Sequence, residues 1–255
     1  MILSEFDFDK EAIISPWNFV EKLEGMPKVA VTCFFHKSFE RMIECLKAEQ
    51  IAETSNANGK FPVYKVRYKN KDIALFMIDM GAAGAAGQLE ETFALGIEKV
   101  VVFGSCGVLD KSIEDMAIIV PDMAVRDEGL SYHYLPASDE MQVNPKYIPE
   151  FTSLLDEVKC PYIIGKTWTT DGFYRETRAK MEKRKEQGCI CVEMECSALS
   201  AVAQFRGKEL FQFLHAADNL DGEEWDRRSL GEGDELEGMD MFSQLALELA
   251  VRISD

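Results

Sequence analysis

Six short, nearly unbroken apolar runs constrain this chain more tightly than any other feature: residues 29–35, 73–78, 100–103, 117–120, 190–194 and 210–215. Runs of that length, rich in Val, Ile and Phe, suit strands buried on both faces. Between them lie helical spacings. Phe39, Met42, Ile43 and Leu46 fall at i, i+3, i+4 and i+7, and Phe242, Leu245, Ala246 and Leu249 repeat the pattern near the end. A highly charged stretch over 175–187 predicts an exposed helix, and 195–205 a more buried one. Strands alternating with helices predict an α/β fold with a central sheet in a single domain spanning 1–255. Residues 1–26 read as an N-terminal arm with a short helix after Pro16, and the acidic stretch 221–238 as a long mobile loop before the last helix.

Charge narrows the partners. With 45 acidic against 28 basic residues the formal net charge is −17, a surface that repels nucleic acid and anionic membranes. Any anionic substrate must therefore be held by specifically placed donors. The seven cysteines form no Cys-x-x-Cys pair and have no neighbouring histidines to complete a zinc set, so no metal site is expected. Most sit in apolar runs, as thiols do in a reducing cytoplasm, and no signal peptide or membrane-length apolar run is visible.

Three segments have the composition of a ligand site. Gly81, Gly84 and Gly87 space a small-residue helix start that lets other backbone approach closely, but not with dinucleotide-fingerprint spacing, which argues against a nicotinamide-dependent oxidoreductase. Further on, Gly104-Ser105-Cys106-Gly107 follows a buried strand, where backbone N–H groups and a hydroxyl can meet an oxygen-rich ligand or simply make a tight turn. The second segment, Val192-Glu193-Met194-Glu195, places two carboxylates where an apolar run stops. They either accept hydrogen bonds from vicinal hydroxyls or serve a helix N-terminus. In the third, Asp218 ends the run at 210–215 and is either a general acid or a cap.

Taken together with Thr170-Asp171-Gly172-Phe173-Tyr174, these segments resemble the nucleoside phosphorylase/nucleosidase family of the purine nucleoside and uridine phosphorylase type, in order and approximate spacing over about residues 29–253. The resemblance implies a three-layer α/β/α fold with a mixed sheet, and cleavage of an N-ribosidic bond without an organic cofactor. It implies that Glu195, with Met194 and Glu193 beside it, grips the ribose, that Phe173 stacks on the base, and that Ser105 and Gly104 contact phosphate. Asp218 matches the residue that protonates purine N7, which points to purine nucleosides. It also implies a homo-oligomer (dimer, trimer or hexamer) whose neighbouring subunit completes the site.

The sequence departs from the family at the phosphate arginines: the first strand continues into Thr32-Cys33-Phe34-Phe35-His36-Lys37, and Val102 stands two residues before Gly104. His36, Lys37, Lys60, Arg126 and His133 are the candidate replacements, each with surface or ion-pair roles as the plain alternative. The water-activating glutamate of the family's nucleosidases is also missing. Phosphorolysis with phosphate as co-substrate is the expectation, with hydrolysis or a non-catalytic nucleoside-binding protein as alternatives.

Overall fold

The computed structural model describes residues 2–231 and 239–254. Its centre is a ten-stranded mixed sheet. The apolar runs become β1 (Val29–Cys33), β4 (Lys71–Met77), β5 (Lys99–Val108), β6 (Ile118–Asp127), β9 (Cys189–Glu193) and β10 (Glu209–Asn219). The polar segments supply the hairpin β2 (Glu49–Asn56) and β3 (Gly59–Tyr68), the short β7 (Glu140–Gln142), and β8 (Tyr162–Thr170). Strand β1 runs parallel between β4 and β5, and the β3–β2 hairpin extends the sheet from β4. On its other side β5 pairs with both β10 and β9, and β10–β6–β8–β9 completes a circuit back to β5. The mixed sheet is thus partly closed on itself.

Among the described residues six α-helices form the outer layers: α1 (His36–Leu46), α2 (Ala82–Leu95), α3 (Ile148–Glu157), α4 (Arg178–Glu186), α5 (Cys196–Arg206) and α6 (Met241–Arg252). Alternation along each strand sorts the core into two faces. Val29, Val31, Val101, Phe103, Phe211 and Phe213 pack with α1, α3 and α6. Ala30, Val100, Val102 and Leu210 face α2 and α5 on the other side. Three layers result, as the resemblance implies.

Some expectations shift by a turn. The charged helix begins at Arg178 because Phe173–Arg175 forms a separate 3-10 turn and Thr177 caps α4 by accepting from the Lys180 N–H. The described part of the acidic stretch 221–238 is a loop. Arg178 donates to the Leu220 and Glu223 carbonyls, Arg228 to that of Ile113, and Ser229 to Asp115; residues 232–238 of the expected mobile loop lie outside the described residues. All seven cysteines are free thiols. Among the described residues no helix is long and apolar enough to cross a membrane, and no group of three or more His, Cys, Asp or Glu is arranged to hold a metal ion.

Candidate active site

The C-terminal ends of β9, β5 and β10 lie side by side, and Gly107 is the midpoint. It pairs with Val192 of β9 on one side and with Asp218 of β10 on the other. A bulge between Ala216 and Asp218 re-aims the aspartate, as bulges beside active sites do. Gly107 is needed for this approach, since a Cβ there would stand 3.1 Å from Asp218 Oδ1 and collide with Leu220. Asp218 Oδ2 accepts a hydrogen bond from Trp225 Nε1 at 2.7 Å. Burial raises the Asp218 carboxyl above its ordinary range, against the opposing pull of that donor and of Arg228. Trp225 was not foreseen; its only sequence signal is an aromatic residue seven positions after the acid.

Glu193 and Glu195 are both 6% exposed, yet they do different work. Oε1 of Glu193 accepts from Thr169 at 2.6 Å and from Thr167 at 3.2 Å, and Oε2 accepts from the N–H groups of Glu195 and Cys196 at 2.7 and 2.6 Å. Four donors fill a carboxylate's acceptor sites. Glu193 therefore organises the start of α5, and these four donors leave it less room for ribose hydroxyls than the sequence expectation assumes. Glu195 accepts from the Gly81 N–H at 2.6 Å through Oε1 and from the Met194 backbone beside it, two donors against the four on Glu193. Its capacity for further donors is what a pair of sugar hydroxyls requires. Burial, followed by the charge of Glu193, pushes its pKa up to about 8. Gly81 has φ of 88°, a backbone region that favours glycine, so the glycine-rich run serves Glu195 directly.

Met194 is half-buried between the two carboxylates. Phe173 sits on the turn after β8, 42% exposed, with its ring 3.8 Å from that of Tyr174. Glu176 follows that turn and is a second residue missed from sequence. Its pKa rises to about 7, first through burial and then through the charge of Asp218, so the two carboxyls sense one another.

A cavity of about 620 Å³ opens beside this edge. Ser105, His36, Lys37, Arg41, His215 and Ala217 are among its lining residues, with Phe34, Phe35 and Phe242. The first turn of α1 has no side-chain cap, which suits an anion. Gly104 lets Phe34 pack against β5, where a Cβ would lie 3.0 Å from that ring. His36 bonds Glu40 at 3.1 Å, and Arg41 lies 3.7 Å from Asp240.

The remaining phosphate candidates are not brought to this cavity. Arg126 is buried and donates to Ser131, Pro136, Ser138 and Leu135 while stacking on Tyr132, so it clamps its own loop beside a separate cavity of about 450 Å³. Its guanidinium is thus engaged away from Ser105 and the α1 turn. His133 is exposed on the Ser131–His133 turn of the same loop. Lys60 is on the outer hairpin, bonded to Glu53 at 2.6 Å.

With this geometry in place, the family model described as the Phosphorylase superfamily matches residues 28–253. The chain belongs to the phosphorylase superfamily. Among curated relatives of this superfamily member, guanosine phosphorylase of Halorubrum lacusprofundi is 24% identical over 165 residues, 64% of this chain and 66% of the relative. The DeoD-type purine nucleoside phosphorylase of Bacillus cereus is 25% identical over 185 residues, 69% of this chain and 78% of the relative. A solved structure of a futalosine hydrolase mutant of Helicobacter pylori superposes with a TM-score of 0.69 at 15% identity. It covers 89% of this chain and 99% of its own, and it shows a shared fold.

Proposed function

We propose that this chain cleaves the N-ribosidic bond of purine nucleosides, with phosphate as the acceptor of the ribosyl group. The observation that carries the reading is the placement of Asp218 and the Val192–Glu195 segment on opposite flanks of Gly107. Glu195 would hold the ribose hydroxyls while Asp218 donates its proton to N7 of the departing base. Protonation lets the base leave neutral as positive charge develops on the sugar. Phe173 would stack on the base and Met194 pack against the sugar. Both Trp225 and Glu176 would then tune how readily Asp218 gives up its proton.

Phosphate would enter the larger cavity, against the Ser105 hydroxyl and the first-turn N–H groups of α1, with Lys37 supplying charge and the His36 imidazole a further polar contact. The names of the two curated relatives support phosphorolysis. Hydrolysis is the second reading, favoured by the pairing of Arg41 with Asp240, which offsets the arginine on this cavity. The exposed β2–β3 hairpin carrying Lys60 is the surface expected to reach a neighbouring copy in a homo-oligomer.

The test is base release from inosine, guanosine and adenosine with and without phosphate, with the sugar product identified. Phosphate-dependent formation of ribose 1-phosphate supports the reading. Free ribose at an unchanged rate transfers it to hydrolysis, and no release from any of the three defeats it.

A further inference from the structure

Glu176 has a half-buried carboxyl to which no hydrogen bond or ion pair is made among the described residues. The helix that follows does not account for it. Thr177 caps α4, and the Lys180 ammonium lies 3.4 Å from Asp127 Oδ2 instead. Its place in the fold is fixed from both sides. Phe173, the ring expected to stack on the base, stands three residues earlier on the same turn, and the Glu176 N–H donates to the Phe173 carbonyl at 3.3 Å. Two residues later Arg178 donates to the Leu220 and Glu223 carbonyls at 3.1 and 3.2 Å, which ties the turn to the chain just beyond Asp218. The charged groups that face the carboxyl are Asp218 of β10, with the larger effect, and Lys180 of α4. Glu176 thus lies where the base platform meets the acid. In a purine, N7 and the substituent on C6 share one edge: guanine and hypoxanthine carry an O6 acceptor beside N7, adenine an N6 amino donor. A base that offers N7 to Asp218 turns its 6-substituent to whatever stands beside that acid. A carboxyl partly removed from water is costly unless a ligand completes its hydrogen bonds.

We propose that Glu176 is a specificity-determining residue that hydrogen-bonds the substituent at purine position 6 while Asp218 serves N7. The proposal rests on the reading of the chain as a purine nucleoside-cleaving enzyme. A carboxylic acid donates to O6, whereas a carboxylate accepts from an N6 amino group. Burial and then the charge of Asp218 raise the Glu176 pKa to about 7, against the pull of Lys180, so both forms are populated near neutral pH. The acid form suits inosine and guanosine. It also sets no charge against the carboxylate left on Asp218 once N7 has taken its proton. The ionised form suits adenosine.

The experiment compares kcat/KM of wild type, Glu176→Gln and Glu176→Leu on inosine, adenosine and purine riboside, which has only hydrogen at position 6. For wild type, the inosine-to-adenosine ratio is expected to fall at least about tenfold between about pH 6 and about pH 8. In Glu176→Gln, whose amide donates or accepts as the base requires, that ratio becomes independent of pH. In Glu176→Leu, inosine is expected to lose at least about tenfold more than purine riboside. A wild-type ratio constant with pH overturns the proposal. So do equal losses on inosine and purine riboside, which would leave Glu176 acting through Asp218 alone. If the Leu variant fails to fold in a thermal melt, the wild-type and Gln pH series decide. A wild type inert towards all three nucleosides defeats the parent reading instead, and equilibrium binding then decides this one. Inosine bound at least about tenfold more weakly at about pH 8 than at about pH 6, with purine riboside unchanged, supports the contact. Equal binding of the two at both pH values, or none, overturns it.

Discussion

The Gly81 N–H donates to Glu195 Oε1 at 2.6 Å, tying the start of α2 to a carboxylate 114 positions later in the chain. Neither residue achieves this alone. Gly81 adopts φ of 88°, and the loop before it is braced by Gln88, which accepts from the Asp79 N–H and donates to the Met77 carbonyl. A side chain at position 81 would strain that backbone by about 1–2 kcal/mol. Gly81→Ala is therefore expected to raise the KM for nucleoside more than it lowers stability, because Glu195 loses its anchor. Steady-state kinetics beside a thermal melt will separate the two effects.

The two glutamates give opposite predictions. Removing an acceptor from Glu193 orphans buried N–H groups at the head of α5, so Glu193→Gln should cost about 2 kcal/mol in urea unfolding. Glu195→Gln should behave differently with pH. The folded chain holds a proton on Glu195 up to about pH 8, whereas the unfolded chain releases it near the ordinary 4.5. Its stabilising contribution is thus fully present below the unfolded value and is lost as pH rises through the folded one. Substrate-free Glu195→Gln should match wild type below about pH 4 and exceed it by several kcal/mol at about pH 8.5. A difference that stays constant between those two pH values contradicts this.

Much of this arrangement was legible in the sequence, for an identifiable reason. Strands buried on both faces carry unbroken apolar runs, so β1, β4, β5, β9 and β10 announced themselves, and with them the sheet ends where Ser105, Glu195 and Asp218 sit. The β2–β3 hairpin did not, because its mostly half-exposed strands are polar and alternate weakly. Individual roles were harder. A carboxylate at a strand end looks the same in sequence whether it holds a ligand or a helix start. Only the four donors around Glu193 distinguish it from Glu195. Arg126 is ambiguous for the same reason: a charged run signals a ligand or a structural partner alike, and its guanidinium meets its own loop. Trp225, Glu176 and His215 belong to the site through tertiary proximity, which no local pattern records.

Trp225 should set the upper pH limit of turnover. Its N–H favours the ionised form of Asp218, which must be protonated to act as the acid. Trp225→Phe removes that donor, so the basic limb of the kcat–pH profile should move up by roughly half a unit to one unit. A downward shift contradicts the assignment.

The central claim is that Asp218 delivers a proton to N7 of a purine, and 7-methylguanosine tests it most directly. That base already carries positive charge on its imidazole ring and needs no proton to leave. Asp218→Asn is expected to lose about a hundred- to a thousandfold in turnover on guanosine but less than about tenfold on 7-methylguanosine. Equal losses on both substrates would contradict the account, because Asp218 would then matter for something other than the proton.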